Sequence, residues 1–332
     1  MAHRRLTGIL LLGGASRRFG APKALARLGG DTLGERAWRV LGEACDEVLA
    51  VGKAADALDV PFAVLDDGSE LRAPIVGVIE GLRAAAHDVA VVLPVDCPRM
   101  TPLAVRALGD ALAVPQTGPL PGAYAQSMLP ELEARLGRGE LSLRGVNQTV
   151  LELDERLLAD VDTPGDLELL ERPGHALVVG GTGMLAGLTR ELAERGHEVT
   201  VVARHGVDLG RGVTVAAVDY RDSAALARKL DDAVAERGPI DVAVAWIHTY
   251  APDAPQLVAS RVAPGGRLFQ VFGTRVWPPD AVPLHVAYRQ VLLGSHGTRW
   301  LTHEEISAGI LGAVEADLPS STVGERATSG RG

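Results

Sequence analysis

Cysteine is almost absent from this 332-residue sequence, which contains only two, Cys45 and Cys97. They lie far apart in the chain and form neither a metal-binding spacing nor a disulfide framework, so we expect a protein of the reducing cytoplasm. Aromatic residues are also scarce, at 4% of the sequence. The hydrophobic cores must therefore be built mainly from alanine, valine and leucine.

The sequence also lacks a long apolar run and an excess of positive charge. No stretch approaches the ~20 apolar residues of a membrane span. The start, MAHRRLTGILLLGG, superficially resembles a signal peptide, but its apolar stretch is only one strand long and two further arginines follow it. The formal net charge of −9 argues against a general nucleic-acid-binding protein. It still allows a local cationic pocket for phosphates.

Apolar runs alternate with amphipathic stretches, which predicts an α/β fold with mainly parallel sheets. Runs such as VAVVLPV and VTVVA are continuous rather than alternating, as expected of strands covered on both faces. The length suggests two domains, and the pattern restarts after ERPG at 171–174. We therefore predict two doubly wound Rossmann-like domains, 1–171 and 175–316, and a polar, disordered tail at 317–332.

The pattern also places individual elements along the chain. Strands are predicted near 6–12, 47–52, 62–65, 89–95, 176–180, 198–203, 213–217 and 241–246. Helices are predicted near 32–45, 75–86, 102–113, 129–137, 164–171, 184–195 and 223–237.

The stretch LLLGGASRRFGAPKAL predicts a buried strand that ends in a cationic glycine loop. Glycine permits a sharp turn and a close approach of ligand, so backbone N–H groups can form an anion nest. Ser16 adds a hydroxyl donor, and Arg18 and Lys23 add positive charge, which together suit a polyphosphate. The loop is not a Walker A motif, because two residues separate its later glycine from the lysine. The alternative is a solvated turn with ordinary surface charges.

Two aspartates follow apolar or helix-entry segments and are candidate Mg²⁺ ligands. Asp96 ends the strand in VVLPVDCPRM, and ligands of open α/β sheets bind beyond the carboxyl ends of strands. Asp162 precedes Thr163-Pro164, which has the pattern of a helix start. On its own, Asp96 is better explained as a turn or helix-capping residue, whereas for Asp162 helix-entry chemistry and metal binding are about equally good explanations.

Together these segments resemble the molybdenum cofactor guanylyltransferases of the MobA-like nucleotidyltransferase superfamily. The family's opening pattern, L-x-G-G-x-S-x-R-(M/F)-G-x-(D/P)-K-A-L, is matched by LGGASRRFGAPKAL at 12–25. Its strand-end D-x-P is matched by DCP at 96–98, and its closing N-x-N-T-P-E-D-L by DVDTPGDL at 160–167. Further matches are APIVG (73–77), PLPGAY (119–124) and LPELEARLGRGELSLR (129–144). The resemblance covers residues 6 to about 171.

The resemblance implies Mg²⁺-dependent transfer of GMP from GTP to a molybdopterin phosphate, with release of pyrophosphate. It implies catalytic roles for Arg18, Lys23 and Asp96, and Mg²⁺ binding by Asp96 and Asp162. It also implies a set of nucleotide-binding residues, namely Leu12, Gly13, Gly14, Ala15, Ser16, Lys23, Asp66, Gly77 and Asp96. Pro22 and Asp162 are more typical of CTP-using molybdopterin cytidylyltransferases, whereas the Gly-Gly pair is typical of GTP enzymes, so both nucleotides stay open.

A second glycine loop, VVGGTGMLAG, follows a second apolar run and fits G-x-x-G-x-x-(G/A) in a strand–turn–helix context. The next strand ends in Arg204 rather than an acid, which favours the 2′-phosphate of NADP(H). This half resembles the short-chain dehydrogenase/reductase superfamily from 175 to about 315. The resemblance implies the following cofactor-binding residues: Gly180, Gly181, Thr182, Gly183, Met184, Arg204 and Asp219.

The reductase chemistry of that superfamily is not matched. No tyrosine of this chain has lysine four residues later, so the Tyr-x-x-x-Lys pair is missing. Chemistry would need other groups, such as His248 or Tyr288. We therefore expect a dinucleotide module with little or no reductase activity, and a sensor or an assembly domain is the alternative for this half. For the whole chain, the alternatives to a nucleotidyltransferase are an NADP(H)-dependent oxidoreductase and a non-catalytic nucleotide-binding regulator. Nothing in the sequence predicts a nucleic-acid or membrane partner.

Overall fold

The computed structural model describes residues 4–13, 19–273, 276–279 and 281–325. The chain forms two compact units, Met1–Arg172 and Pro173–Gly332. Each unit has a parallel or mainly parallel sheet with helices on both faces, which is the α/β class that the sequence predicts. Among the described residues, no helix has the length and apolar character needed to cross a membrane.

The elements of the first unit follow the predicted alternation of strands and helices. Its helices are α1 (Leu33–Ala44), α2 (Pro74–Ala84), α3 (Pro102–Ala111), α4 (Leu129–Gly137) and α5 (Pro164–Glu171). Its strands are β1 (Thr7–Leu11), β2 (Arg27–Leu28), β3 (Asp31–Thr32), β4 (Glu47–Gly52), β5 (Val64–Asp66), β6 (Val89–Pro94), β7 (Val114–Pro115), β8 (Gly122–Ala125) and β9 (Val150–Leu151). Short 3-10 helices cover Lys23–Leu25, Ala54–Asp56 and Gln126–Met128.

The main sheet of the first unit has the order β5-β4-β1-β6-β8. All of its pairs are parallel except β6 with β8 at the edge. The continuous apolar strands β1 and β6 lie in its centre and are almost fully buried, because helices cover both faces. The chain turns from β1 towards β4 and later returns to the other side as β6. This makes the gap between β1 and β6 the switch point at which α/β sheets bind ligands.

The second unit begins again with a buried apolar strand. Its strands are β10 (His175–Val179), β11 (Glu198–Ala203), β12 (Val213–Ala217), β13 (Ile240–Trp246), β14 (Val262–Phe272), β15 (Ala287–Leu293), β16 (Ser295–His296), β17 (Arg299–Trp300) and β18 (Ser320–Val323). Its helices are α6 (Ala186–Glu194), α7 (Ser223–Arg237), α8 (Ala254–Ala259) and α9 (His303–Ala316).

The main sheet of the second unit has the order β12-β11-β10-β13-β14-β15-β18, and every pair in it is parallel. Counted along the chain this is 3-2-1-4-5-6-7, which begins as the strand order of dinucleotide-binding sheets does. Separate hydrophobic clusters cover its two faces. The switch point lies between β10 and β13.

The strands and helices predicted from periodicity are confirmed, with end points that differ by a few residues. The disordered tail predicted from 317 is wrong at its start. Residues Ser320–Val323 form β18, which pairs with β15, and Val323 is buried against α9. The serine-rich composition did not indicate a strand, because the backbone hydrogen bonds to β15 rather than an apolar pattern stabilise β18. Residues 326–332 lie outside the described part of the chain.

Candidate active site

The switch point of the first unit brings together the carboxyl ends of β1 and β6. Leu12 donates its N–H to the carbonyl of Val51, and Val95 donates to the carbonyl of Leu11, so the sheet pairing continues into both loops. Leu12 and Gly13 therefore leave the sheet beside the segment that carries Asp96. A Cβ at Gly13 would meet no atom within 4 Å, so space is open above this residue. The predicted residues Gly14, Ala15, Ser16 and Arg18 lie outside the described residues.

Lys23 connects both predicted metal-binding aspartates. Its Nζ donates to Asp96 Oδ2 at 3.2 Å and to Asp162 Oδ1 at 2.9 Å. The lysine side chain is only 14% exposed. Burial lowers the pKa of Lys23, but the hydrogen bond to Asp162 and the charge of Asp96 outweigh this and raise it above its ordinary value. The ammonium is therefore fixed in its charged form at the carboxyl edge of the sheet.

Backbone contacts explain why Asp162 lies beside Asp96 although 66 residues separate them in the sequence. Val161 donates its N–H to the carbonyl of Asp96 at 2.8 Å. The carboxylate of Asp166 accepts the backbone N–H groups of Asp162 and Thr163 at 2.9 and 2.8 Å. Thr163 and Asp166 form the capping box of α5, with Pro164 in its first turn. Helix capping thus fixes the backbone that carries Asp162. A helix-capping role for this segment and a metal-binding role for Asp162 are therefore compatible.

The two carboxylates have the donor chemistry of a Mg²⁺ site. No group of three or more His, Cys, Asp or Glu side chains suited to a metal occurs within the described ranges. Mg²⁺ bound with a nucleotide commonly takes one or two protein carboxylates, while phosphate oxygens and water complete its shell. Asp96 and Asp162 already share one cation, the Lys23 ammonium. Their placement therefore fits Mg²⁺ held jointly with a triphosphate.

A pocket of about 100 Å³ opens next to the glycine loop. It is lined by Leu11, Gly13, Val51, Gly52, Lys53, Asp67, Arg72, Ala73, Pro74 and Gly77. Two residues predicted to bind nucleotide, Gly13 and Gly77, are therefore in one pocket wall. Gly77 is also required for packing, since a Cβ there would come within 2.8 Å of a Leu11 methyl group.

The pocket contains a buried ion pair that the sequence did not reveal. Lys53 Nζ donates to both carboxylate oxygens of Asp67, at 2.8 and 2.9 Å, and to the carbonyl of Ser69 at 2.6 Å. Both charged side chains are 9% exposed. The only sequence signal was that Lys53 is one of three lysines in the chain. The pair places one positive and one negative hydrogen-bonding group at the pocket wall.

The predicted nucleotide-binding residue Asp66 is placed differently from its neighbour. It is the last residue of β5 and is exposed, and its Oδ1 accepts the N–H of Ala54 at 3.1 Å. It does not line the described pocket, whereas Asp67 does. Successive side chains of a strand point in opposite directions, which accounts for the difference between the two aspartates.

In the second unit, the glycines after β10 have distinct local roles. Gly180 has φ +85° and turns the chain, and its N–H donates to the carbonyl of Val202. A Cβ at Gly181 would lie 2.7 Å from Thr189 Oγ1, so this glycine permits close packing of α6. A Cβ at Gly183 would have only the carbonyl oxygen of Gly180 within 4 Å, so space is open there. These roles match a turn, a close helix contact and an open approach for a pyrophosphate.

The other predicted cofactor-binding residues differ in their exposure and in their hydrogen bonds. Thr182 is exposed, while the carbonyl of Met184 accepts a hydrogen bond from Ser307 Oγ. Arg204 is exposed after β11, and Asp219 follows β12. Hydrogen bonds from the Arg221 side chain and backbone lower the pKa of Asp219 to about 2. Asp219 is therefore ionised and already paired within its own turn.

The groups considered for reductase chemistry are not arranged as a catalytic pair. Tyr288 Oη donates to Gln270 Oε1 at 2.9 Å, and burial raises the pKa of this tyrosine. His248 is exposed and lies edge-on to Trp246 and Tyr250. The described residues between β14 and β15 (273, 276–279 and 281–286) contain no helix.

Comparisons with known proteins agree on the first unit. The model of the MobA-like NTP transferase domain matches residues 8–156. A "Probable molybdenum cofactor guanylyltransferase" of Chloroflexus aggregans is 33% identical over 198 residues, covering 51% of this chain and 95% of that protein. A protein of the same description from Mycobacterium marinum is 32% identical over 193 residues, covering 51% of this chain and 95% of that protein.

Solved structures give weaker likenesses. The molybdopterin-guanine dinucleotide biosynthesis protein A of Archaeoglobus fulgidus is 22% identical, with a TM-score of 0.44 over 50% of this chain and 96% of that one. A metagenomic short-chain oxidoreductase in complex with NADP is 20% identical, with a TM-score of 0.36 over 47% of this chain and 97% of that one.

Proposed function

The chain belongs to the MobA-like NTP transferase family through residues 8–156, and on this premise we propose that its first unit transfers GMP from GTP to a molybdopterin phosphate and releases pyrophosphate. The unit is a nucleotidyltransferase by family. The acceptor and the base are the proposed part, and they follow the relatives that are described as molybdenum cofactor guanylyltransferases. The reaction needs the nucleoside triphosphates of the cytoplasm, where we place it.

The observation that supports the proposal most strongly is the cluster of Lys23, Asp96 and Asp162. One half-buried ammonium contacts both carboxylates at the switch point. Two carboxylates and a lysine at the ligand-binding edge of the sheet are what the transfer of a nucleotide requires for its metal and its phosphates.

The mechanism follows from charge and position. An acceptor phosphate oxygen attacks the α-phosphorus of GTP, the new P–O bond forms, and the bond to the β-phosphate breaks to release pyrophosphate. The attacking phosphate is already ionised at neutral pH, so no strong general base is needed. Mg²⁺, when bound by Asp96 and Asp162, would supply neutralisation of negative charge around the α-phosphate.

Residues of the chain would bind the phosphates and the nucleotide. Lys23 is held charged, and its flexible stem lets the ammonium reach phosphate oxygens from its position between the carboxylates. We assign Arg18 and the backbone of Gly14, Ala15 and Ser16 to the triphosphate, in keeping with the family pattern. Leu12 and Gly13 border the space that the nucleotide enters.

We assign the base to the pocket that contains Lys53 and Asp67. Its wall offers an ammonium donor and a carboxylate acceptor, and the edge of guanine carries the acceptor O6 beside N–H donors. The edge of cytosine carries both kinds of group as well, so a CTP enzyme is the second candidate. Asp66 is the alternative carboxylate, and exchanging each aspartate separately distinguishes the two.

The direct experiment is pyrophosphate release with each of the four nucleoside triphosphates, with and without molybdopterin. We expect release with GTP only when molybdopterin is present. Asp96→Asn should lower the rate by about a hundredfold or more, a typical effect of removing a group that stabilises transition-state charge. Asp110→Asn, in an exposed pair with Arg106 on α3, is the matched control and should keep the rate. Full activity of Asp96→Asn, or no release with any nucleotide, would refute the assignment.

For the second unit we propose a fold of the short-chain dehydrogenase/reductase type that binds NADP(H) without reducing a substrate. Support comes from the strand order, from the separate roles of Gly180, Gly181 and Gly183, and from Arg204 after β11. The pairing of Tyr288 with Gln270 disfavours an oxidoreductase. Titration of the full chain with NADP⁺ and NADPH tests this proposal, and absence of binding at millimolar cofactor would end it.

A further inference from the structure

A row of aromatic side chains crosses the carboxyl edge of the second unit's sheet, and neither of the functions proposed above uses it. The row consists of Trp246, His248, Tyr250 and Tyr220. Trp246 and His248 rings meet edge to face at 5.4 Å, and His248 and Tyr250 do so at 5.2 Å. Tyr250 is stacked with Tyr220 at 6.3 Å. In a chain with so few aromatic residues, four neighbours at one sheet edge need an explanation.

The row borders the hydrophobic core but is not enclosed by it: Trp246 and Tyr220 pack, partly buried, against the clusters on the two faces of the sheet. Tyr250 is 59% exposed, His248 is exposed, and Trp246 and Tyr220 are half-buried. The Arg221 guanidinium lies 6.0 Å from the centre of the Tyr250 ring. Exposed aromatic rings next to arginine are suited to stacking flat heterocycles that carry phosphate.

The position of Trp246 is defined by two glycines. The site where Gly180 would carry a Cβ lies 3.7 Å from Cδ1 of the indole, and the corresponding site of Gly273 lies 3.6 Å from Cη2. The indole therefore extends from the end of β10 towards the end of β14, past the switch point. Tyr220 follows β12, on the opposite side of the Gly180 loop.

A dinucleotide bound to such a sheet has a known direction. Its pyrophosphate lies at the loop after the first strand, and its adenosine ribose lies at the end of the second strand, here β11. The adenine end is thus on the side of Tyr220 and Tyr250, and the nicotinamide end is on the side of Trp246. The row supplies an aromatic surface for each end of the ligand.

We propose that the second unit binds the oxidised cofactor selectively, because the nicotinamide ring of NADP⁺ stacks on the indole of Trp246. This inference rests on the proposed NADP(H) binding of the second unit. The oxidised nicotinamide ring is planar and cationic, whereas the reduced ring is neutral. A cation over an indole face gains a cation–π attraction that the neutral ring does not. The unit then reports the oxidation state of the cofactor without changing it.

The expected discrimination is modest and measurable. A cation–π contact of this kind corresponds to about fivefold to tenfold tighter binding of NADP⁺ than of NADPH. The stacked complex should also show a charge-transfer absorption band that appears with NADP⁺ and is absent with NADPH. No net chemistry occurs, so the cofactor is recovered unchanged.

The test is calorimetric titration of the full chain with NADP⁺ and with NADPH, together with difference absorption spectra. Trp246→Leu should bring the ratio of the two affinities to about one and remove the absorption band. Trp246→Phe keeps a packed aromatic ring whose cation–π attraction is weaker, so it should give an intermediate ratio of the two affinities. This variant keeps the test valid if the leucine variant fails to fold. Trp300→Leu, a half-exposed tryptophan of the β17 strand, is the matched control and should keep the wild-type ratio.

Failure of this inference and failure of cofactor binding give different results. Equal affinity of the wild type for both forms, or a ratio that Trp246→Leu does not change, overturns the role of Trp246 while cofactor binding stands. Absence of binding of either form overturns both. Oxidation of NADPH by the chain with any added carbonyl substrate would show that the second unit is a reductase. That result would also overturn the proposal that the unit reports the oxidation state of the cofactor without changing it.

Discussion

Replacing Lys23 with methionine removes the ammonium that contacts both Asp96 and Asp162 and leaves the two carboxylates without it. The lysine is 14% exposed, while the two carboxylates are 29% and 49% exposed. Removing one partner of a fully buried ion pair costs about 3–5 kcal/mol, whereas exposed pairs contribute about 1 kcal/mol or less. Because this cluster is intermediate, we expect the free energy of unfolding of the first unit to fall by about 1–2 kcal/mol.

The same substitution should change the response to Mg²⁺. In the wild type the ammonium already neutralises the carboxylates, so Mg²⁺ alone should stabilise the fold little. In Lys23→Met the carboxylates lack that charge, so Mg²⁺ should bind without nucleotide and restore much of the lost stability. Urea unfolding with and without millimolar Mg²⁺ measures both effects. Transfer activity should nevertheless fall by on the order of a hundredfold, since the triphosphate loses a positive charge.

Lys229→Met is the matched control for this experiment. Lys229 lies on α7 and is 47% exposed, with Asp232 at 3.7 Å. Its removal should change the free energy of unfolding by less than about 0.5 kcal/mol and should leave the Mg²⁺ response unchanged. If Lys23→Met is as stable as the wild type and Mg²⁺ affects both equally, the three side chains do not form the cation cluster described above.

Three further outcomes test other parts of the molecule. Lys53→Met should cost about 3 kcal/mol in urea unfolding, because Asp67 is left buried without its cation, and a nearly neutral result would mean that solvent enters the pocket. Burial raises the pKa of the Cys45 thiol to about 12, so iodoacetamide should not modify it at pH 8 until the chain unfolds. The pKa of the Cys45 thiol is higher in the folded chain than in the unfolded chain. The thiol's contribution to the free energy of unfolding is therefore complete below pH 9 and is lost between pH 9 and 12, and urea unfolding at a series of pH values checks this. Gly181→Ala should destabilise the second unit by about 1–3 kcal/mol through its 2.7 Å approach to Thr189, while Gly206→Ala, with no atom within 4 Å, should be neutral in the same thermal melt.

The two strands at the centre of the first unit's sheet were predictable because burial on both faces leaves an unbroken apolar run. Both β1 and β6 carry such runs, and Asp96 could be placed at a strand end for the same reason. The edge strands β8 and β18 have only four residues each, GAYA and SSTV, so periodicity does not distinguish them from loops.

The site was predictable residue by residue but not as an assembly. Lys23 lies 73 residues from Asp96 and 139 from Asp162, and only the folded sheet brings them to one ammonium. The choice between Asp66 and Asp67 depends on which way each side chain leaves the end of β5. The sequence alone does not indicate which of the two aspartates faces the pocket, and it did not reveal the ion pair of Lys53 with Asp67.

The contact between Val161 and the carbonyl of Asp96 has a consequence for how this protein can be divided. The family match ends at residue 156, yet the second carboxylate and the helix cap that holds it lie beyond that point. Glu171, the last residue of α5, also reaches back to the N–H of Gly29. A fragment cut at residue 156 would keep the main sheet and lose Asp162, one of the two carboxylates that we propose bind Mg²⁺. The smallest fragment that keeps both carboxylates and the helix cap of α5 ends after α5, at the boundary between the two units.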